Sequence, residues 1–478
     1  MADDLFDRDA TDQLQALVTK RISAVELLKA ALARHADTHK MLNAVVAADP
    51  ERALERARAI DDARLKGEML GPLAGLPMTI KDTFDVAGMA ASSGLPELRR
   101  RMTEDAAAVS HARHAGAVIW GKTNVPVMAA DWQSSNALYG ATSNPWDLER
   151  TPGGSSGGAA AALAAGVTAL EIGSDIGGSL RVPASFCGVY AHKPTWGMVP
   201  QRGHVPPAPG SYVERDLNVI GPMARSARDL RLLLSILAEG QVAATAPPPP
   251  LSQLRIGLWL DEPALALDPE VRAVIEGFAA AAARAGAQVQ ELHAPVDVAA
   301  LLDAYTLLLG ATLAEDLPAS ALAGMELMRG PAKIARASGA GPFSQAASTL
   351  AYTARHLDWM AADAVRARLR HEIGGTFRKV DVILAPASPV APFKHDTRPF
   401  GQRKLKFSDG REHPYMAMLG WIALATALHL PATAVPAGRT PGGLPVGVQL
   451  IGPHGGDAKT LGVAQALEER VGGFEAPG

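Results

Sequence analysis

Between residues 76 and 175 short apolar runs alternate with segments of helical character, and that alternation restricts the fold more than any other feature. LPMTIK (76–81) reads as a strand ending in a lysine. Thr103 is placed to cap a helix that runs to about His114, AGAVIWGKTN (115–124) contains a second strand, 158–166 is an Ala-rich helix, and TALEIGSD (168–175) is a strand again. Strands separated by helices imply a mostly parallel sheet covered on both faces. Outside this block, residues 11–38 read as two short helices. Leu14, Leu17 and Val18 share a face in the first, and Ser23 starts the second. Residues 43–47 form a short strand, and Asp49-Pro50 opens a charged helix with Asp49 as N-cap and Pro50 at the first helical position. The proline run at 246–250 reads as a surface connector inside one domain, and LRIGLWL (254–260) resumes with a strand. Residues 298–375 look mainly helical. Strands return at 380–389, 432–438 and 444–452, and a last helix occupies about 457–470. With 478 residues the default is two domains, one large α/β domain being the permitted exception.

Composition narrows the function. A formal charge of −3 and the lack of a long basic run argue against nucleic acid or anionic lipid as a partner. The single cysteine, Cys187, rules out an internal disulfide and a Cys-based zinc site. The opening MADDLFDRDA has no apolar core of a secretory signal, and no apolar stretch is read as reaching the ~20 residues of a membrane span. A cytoplasmic setting is expected.

Chemistry concentrates in MTIKD around Lys81, TPGGSSGGAA around Ser155 and GSDIGGSLRVPA around Ser179. Each puts a reactive group beside a strand end or helix start, where open α/β sheets bind ligands. A serine hydroxyl needs a nearby base to act as a nucleophile. Glycines beside Ser179 let consecutive N–H groups turn into one cavity, where they can hold a tetrahedral oxyanion. The candidate donors are the N–H groups of Ile176, Gly177, Gly178 and Ser179. Taken alone, either Gly/Ser loop reads equally as a plain turn, but each abuts an apolar helix or strand directly, as a linker would not. GSSGG (154–158) also fits a nucleophile elbow centred on Ser156, yet WDLERTP before it is no strand. A phosphate loop is disfavoured by the absent Lys-Ser/Thr.

The stretch PGGSSGGAAAALAAGVTALEIGSDIGGSLRVPASFCGV (152–189), with Lys81 lying 74 positions before Ser155 and Ser179 lying 24 after it, resembles the amidase signature family over nearly the whole chain. GLPVGVQLIG (443–452) resembles that family's C-terminal signature. The resemblance implies one α/β/α domain around a large, mostly parallel mixed sheet, with the signature core at about 76–200, a helical insertion (298–375) near the cleft and a C-terminal sheet and helix (380–470). It implies a Ser–Ser–Lys triad: Ser179 attacks, Ser155 relays the proton, and a neutral Lys81 receives it. It further implies a cis bond between Gly154 and Ser155, and supporting roles for Gly154, Ser156, Asp175 and Arg181. A structural ion pair between Asp175 and Arg181 is compatible with that role. Ala130 and Asp131 match a segment bordering the acyl pocket; a structural turn is the alternative. No metal or organic cofactor is implied.

Two activities remain within the family. The leading one is a stand-alone amidase taking a small-molecule amide, as monomer or homodimer, with carbamates and esters open to the same chemistry. The alternative is the glutamine-hydrolysing A subunit of a tRNA-dependent amidotransferase. Such a protein usually carries Gln where this chain has Val182, and Ser-Leu-Asp before the GP pair where this chain has VERDLNVIGP. A catalytically dead binding protein is disfavoured because all three triad residues are present. His111 and His114 have a spacing that suits a metal but no carboxylate partner, and Cys187 reads as a small buried residue. HVPPAPGSY (204–212) is placed at the cleft mouth or on plain surface.

Overall fold

The computed structural model describes Leu5 and residues 8–478; the first residues of the acidic N-terminal segment fall outside them. Eleven strands make one sheet: β1 (Val45–Ala48), β2 (Pro77–Lys81), β3 (Val118–Thr123), β4 (Leu170–Asp175), β5 (Tyr190–Lys193), β6 (Val219–Ala224), β7 (Arg255–Leu258), β8 (Gln288–Glu291), β9 (Val382–Pro386), β10 (Ala432–Arg439) and β11 (Pro445–Ile451). Their order is β1-β3-β2-β4-β6-β5-β10-β11-β9-β7-β8. The sheet is mixed. Parallel pairing occurs in two blocks, β3-β2-β4 and β9-β7-β8. The strands between β4 and β9 pair antiparallel. The alternation read from residues 76–175 holds in the first block. The middle escapes that reading because β6 carries Gly221 and Pro222, residues that argue against a central strand.

Side chains alternate across the sheet along β9. Val382 and Leu384 join one apolar cluster, and Ile383 and Ala385 join the other. The first cluster takes in helices Ala24–Leu42, Ala227–Leu237, Pro269–Arg284 and Asp457–Arg470. The second takes in α3 (Val298–Leu313), helix His356–Phe377 and α5 (Leu419–Ala427). Between 298 and 375 the chain is helical in several pieces, including α4 (Gln345–Tyr352). The helix Val298–Asp316 has 19 residues and a mean hydropathy of 1.4. By length and composition it is the one candidate to cross a membrane among the described residues, contrary to the sequence reading. Leu301, Leu302, Tyr305 and Leu308 bury one side of it in the second cluster.

Local rules account for several helix starts. Ser23 and Glu26 form a reciprocal capping box, and the Asp49 carboxylate accepts from the Arg52 N–H with Pro50 at the first position. Two expectations fail. Val18 is 67% exposed rather than on the buried face. Thr103 caps nothing: the helix runs Ala107–His114 behind Ala106, and the nearby Asp105 carboxylate is held by Arg113 and the Ala87 N–H.

Candidate active site

β2 and β4 are adjacent and parallel, so their C-terminal ends emerge together. Lys81 is the last residue of β2, and Ser174 and Asp175 are the last two of β4. The loop 151–156 leads into α1 (Gly157–Ala164) and delivers Ser155 to the same place; the Gly154–Ser155 bond is cis. Gly154 fits because the 131–133 segment presses on it: a Cβ there would stand 2.4 Å from the Asp131 carbonyl oxygen. Ser134 fastens the loop, its hydroxyl donating to the Gly153 carbonyl (3.0 Å) and accepting from the Gly157 N–H (3.0 Å). The start of α1 is thus satisfied by Ser134 and not by Ser156. The Ser156 side chain is buried, and its N–H donates to the Ser179 carbonyl (3.2 Å), joining the two serine loops.

Lys81 is fully buried, and its Nζ lies 2.8 Å from both Ser155 Oγ and Ser174 Oγ. Burial drives the ammonium down to about 7, against the pull of Asp175 and Glu171. Glu171 is itself pushed up to about 8 by burial, despite the hydrogen bond from Thr79. Ser179 lines the same cavity as Ser155. Among the described residues its hydroxyl makes no protein hydrogen bond, so the Lys81–Ser155 link is formed while the link between the serines is open, as is common without substrate.

One carboxylate shapes the loop that carries Ser179. Asp175 accepts from the N–H groups of Gly178 (3.0 Å) and Leu180 (3.0 Å) and from the Arg181 guanidinium (2.9 Å). Burial alone would raise its pKa, but Arg181 and these donors hold it at about 2. The Gly178 N–H is thus spent on Asp175, which corrects its expected place among the oxyanion donors. Ile176, Gly177 and Ser179 keep N–H groups with no partner among the described residues. Their neighbouring carbonyls are fixed from outside: Trp132 Nε1–H donates to Gly177 (2.8 Å), and the Tyr305 hydroxyl donates to Ile176 (3.0 Å). Gly178 at φ +90° makes the turn that brings this about. Arg181 opens α2 (Arg181–Cys187) and donates to Gln449 Oε1 (2.8 Å), Thr426 Oγ1 (2.7 Å) and the Ile422 carbonyl (3.1 Å). The ion pair expected from sequence is therefore present, and it anchors the loop to the C-terminal half.

Ser155, Ser174 and Ser179 line a cavity of about 160 Å³. Its walls include Trp132, Ile176, Leu309, Leu313, Phe400 and Met416. Two charged side chains reach it, and both are matched within the protein. Asp131 meets Arg403 and the Tyr415 hydroxyl, and Arg215 meets Asp316 (2.9 Å). Ala130 lies in the wall, as does Asp131, but the Asp131 carboxylate is occupied by its ion pair. His204 and Pro206 place the start of the 204–212 loop against the cavity. His111 and His114 bond to the Leu237 carbonyl and to Ser110 instead of to a common point. Among the described residues no three His, Cys, Asp or Glu side chains gather as a metal site. Cys187 is buried, and burial pushes its thiol up.

The profile described as Amidase matches residues 26–461. The chain belongs to the amidase signature family. Relatives of two kinds resemble it over nearly their whole lengths. The A subunit of glutamyl-tRNA(Gln) amidotransferase from Heliobacterium modesticaldum is 32% identical, covering 98% of each chain. Its counterpart from Moorella thermoacetica is 34% identical, covering 98% of this chain and 97% of its own. A crystal structure of an amidase superposes with a TM-score of 0.79 at 31% identity, covering 97% of this chain and all of the other. Family membership accounts for the large mixed sheet flanked by helices and makes carbon–nitrogen bonds the object of the chemistry.

Sequence reasoning passed over Ser174, Trp132, Tyr305, Ser134 and Gln449 as site-builders. Ser174 and Gln449 lie inside the two signature stretches and are the readable ones. Tyr305 comes from a distant segment, and no spacing announces it, whereas His204 opens the 204–212 stretch placed at the cleft mouth or on the surface.

Proposed function

We propose that the protein hydrolyses carboxylic amides whose acyl part is uncharged and apolar, with Ser179 as nucleophile, Ser155 as relay and Lys81 as base. The observation that carries this reading is a buried, deprotonatable Lys81 against Ser155 at the foot of a cavity whose charges are already paired. In this mechanism neutral Lys81 takes the Ser155 proton as Ser155 takes that of Ser179, and Ser179 Oγ bonds to the carbonyl carbon. The negative oxygen meets the N–H groups of Ile176, Gly177 and Ser179. Losing one donor of this type costs about 10²–10³ in rate. Ser155 returns the proton to the departing amine, and water then releases the acid from the acyl-enzyme. No cofactor enters the scheme. A volume near that of this cavity holds a benzene ring, so aryl and short alkyl acyl groups fit. Carbamates and esters follow the same path.

The names of the curated relatives favour the other reading, a glutamine-hydrolysing component of an amidotransferase, better than they favour a free amidase. Against it stands the wall of the cavity: the ammonium and carboxylate of glutamine each need an opposite charge, and Asp131 and Arg215 are committed to Arg403 and Asp316. Val182, where such proteins usually carry Gln, is buried in the apolar cluster. A cytoplasmic setting and a small-molecule partner accompany the first reading; partner proteins and tRNA would accompany the second. The test is to incubate wild type, Ser179→Ala and Lys81→Ala with an aryl amide, an aryl carbamate, an aryl ester and L-glutamine, following amine or alcohol release. Cleavage of the anilide or carbamate by wild type alone upholds the free amidase. Turnover of glutamine alone, or activity only with added partners, replaces it with the amidotransferase component.

A further inference from the structure

The Lys81–Ser174 contact has a direction problem. A neutral lysine has two N–H bonds and one lone pair. For Lys81 to act as the base proposed above, the lone pair must face the Ser155 hydroxyl. Ser174, 2.8 Å from the same nitrogen, is a hydroxyl and can either accept from Lys81 or donate to it. If it donates, it occupies the lone pair, and Lys81 can only push an N–H toward Ser155, the wrong way for catalysis.

His204 resolves the choice. Its Nδ1 lies 2.8 Å from the Pro206 carbonyl oxygen and its Nε2 lies 2.9 Å from Ser174 Oγ. A carbonyl only accepts, so Nδ1 carries the hydrogen. Burial, with the repulsion of Lys81, pushes the imidazole down to about 3, so the ring is neutral and Nε2 is a bare acceptor. The Ser174 hydrogen therefore goes to His204, and Ser174 has only lone pairs to offer Lys81. We infer that His204 is a positioning residue that, through Ser174, fixes Lys81 as a donor on that side and leaves its lone pair for Ser155. The inference rests on the proposed role of Lys81.

The surroundings hold the ring in register with the lysine. The Val205 N–H donates to the Thr83 carbonyl (2.7 Å) and the Asp85 N–H to the Gly203 carbonyl (2.8 Å), so the His204 loop is laced to the turn that follows Lys81. Phe84 from that turn meets the imidazole edge to face, with centroids 5.0 Å apart.

The test uses phosphonylation of Ser179 by a fluorophosphonate, in which Ser179 Oγ displaces fluoride from phosphorus and the relay takes the proton. Intact-mass spectrometry gives the rate without knowledge of the natural substrate. His204→Phe, which keeps a ring but no acceptor, is expected to react about tenfold more slowly, the worth of one buried hydrogen bond. His204→Gln, which can present an acceptor oxygen to Ser174, is expected to recover most of that loss. The decisive readout is the pair: His204→Phe combined with Ser174→Ala should react no more slowly than Ser174→Ala alone, because His204 acts through Ser174. A full additional His204 factor in the double variant overturns the inference, as does a wild-type rate in His204→Phe. Should His204→Phe fail to fold, ¹⁵N-histidine spectra of wild type decide: a neutral Nδ1–H tautomer at His204 supports the assignment, and an Nε2–H tautomer defeats it. If wild type does not label at Ser179, the underlying Ser179 reading falls, and this inference with it.

Discussion

Lowering the pH should switch off acylation along a curve set by Lys81. The perturbation is a titration of wild type from about pH 9 to about pH 5, repeated on Lys81→Arg. An exposed lysine at its ordinary value of 10.5 would be neutral about once in three thousand molecules at pH 7, and a base that scarce could not support the relay. Burial at the end of β2 brings Lys81 down to about 7. About half the molecules are then ready at neutral pH, about ten in eleven at pH 8 and about one in eleven at pH 6. The sign follows from the role: the base works deprotonated, so the rate rises with pH through about 7 and falls about tenfold per unit below it. Arginine stays protonated throughout, so Lys81→Arg should react at background and without this limb. The assay is the phosphonylation rate of Ser179 at constant ionic strength, confirmed by kcat/KM on an aryl anilide. A rate that stays flat to pH 5, or an acid limb that survives in Lys81→Arg, would refute the assignment of Lys81 as the base.

Two more outcomes follow from the loop around Ser179. Asp175→Asn should lower stability by about 3–5 kcal/mol, because it leaves the fully buried Arg181 guanidinium without its counter-charge; calorimetric or denaturant unfolding measures it, and a loss below about 1 kcal/mol would contradict the structure. Trp132→Phe keeps the ring in the wall but removes the donor to the Gly177 carbonyl. It should slow acylation about tenfold with unfolding unchanged within about 1 kcal/mol, and a change confined to KM would assign Trp132 to substrate contact alone.

Sequence periodicity recovered the parts of the fold that are locally determined. β2, β3, β4 and α1 follow from apolar runs and an Ala-rich helix, and Ser23 and Asp49 cap as their side-chain chemistry dictates. β5 and β6 were hidden because their strand character comes from neighbours in the sheet: β6 is paired on both sides despite Gly221 and Pro222. Without them the antiparallel centre of the sheet could not be seen. At the site, Lys81, Ser155, Ser179, Asp175 and Arg181 were legible because they stand in one dense signature stretch and at one strand end. What the sequence concealed was hydrogen-bond traffic. Gly178 looks as free as Gly177 until Asp175 is seen to accept its N–H. Tyr305 and His204 reach the site from segments with no motif of their own.

The Arg181–Gln449 hydrogen bond, with a sequence separation of 268, sets an order on the birth of the enzyme. A ribosome delivers the lysine and both serines long before it delivers the glutamine, and domains assemble as their chain appears. Until β11 is added, the guanidinium that steadies Asp175 has a vacant donor, and the loop around Ser179 is held to the C-terminal half by Thr426 and Ile422 alone. A nascent chain thus displays its reactive groups early and completes their support near the end of synthesis.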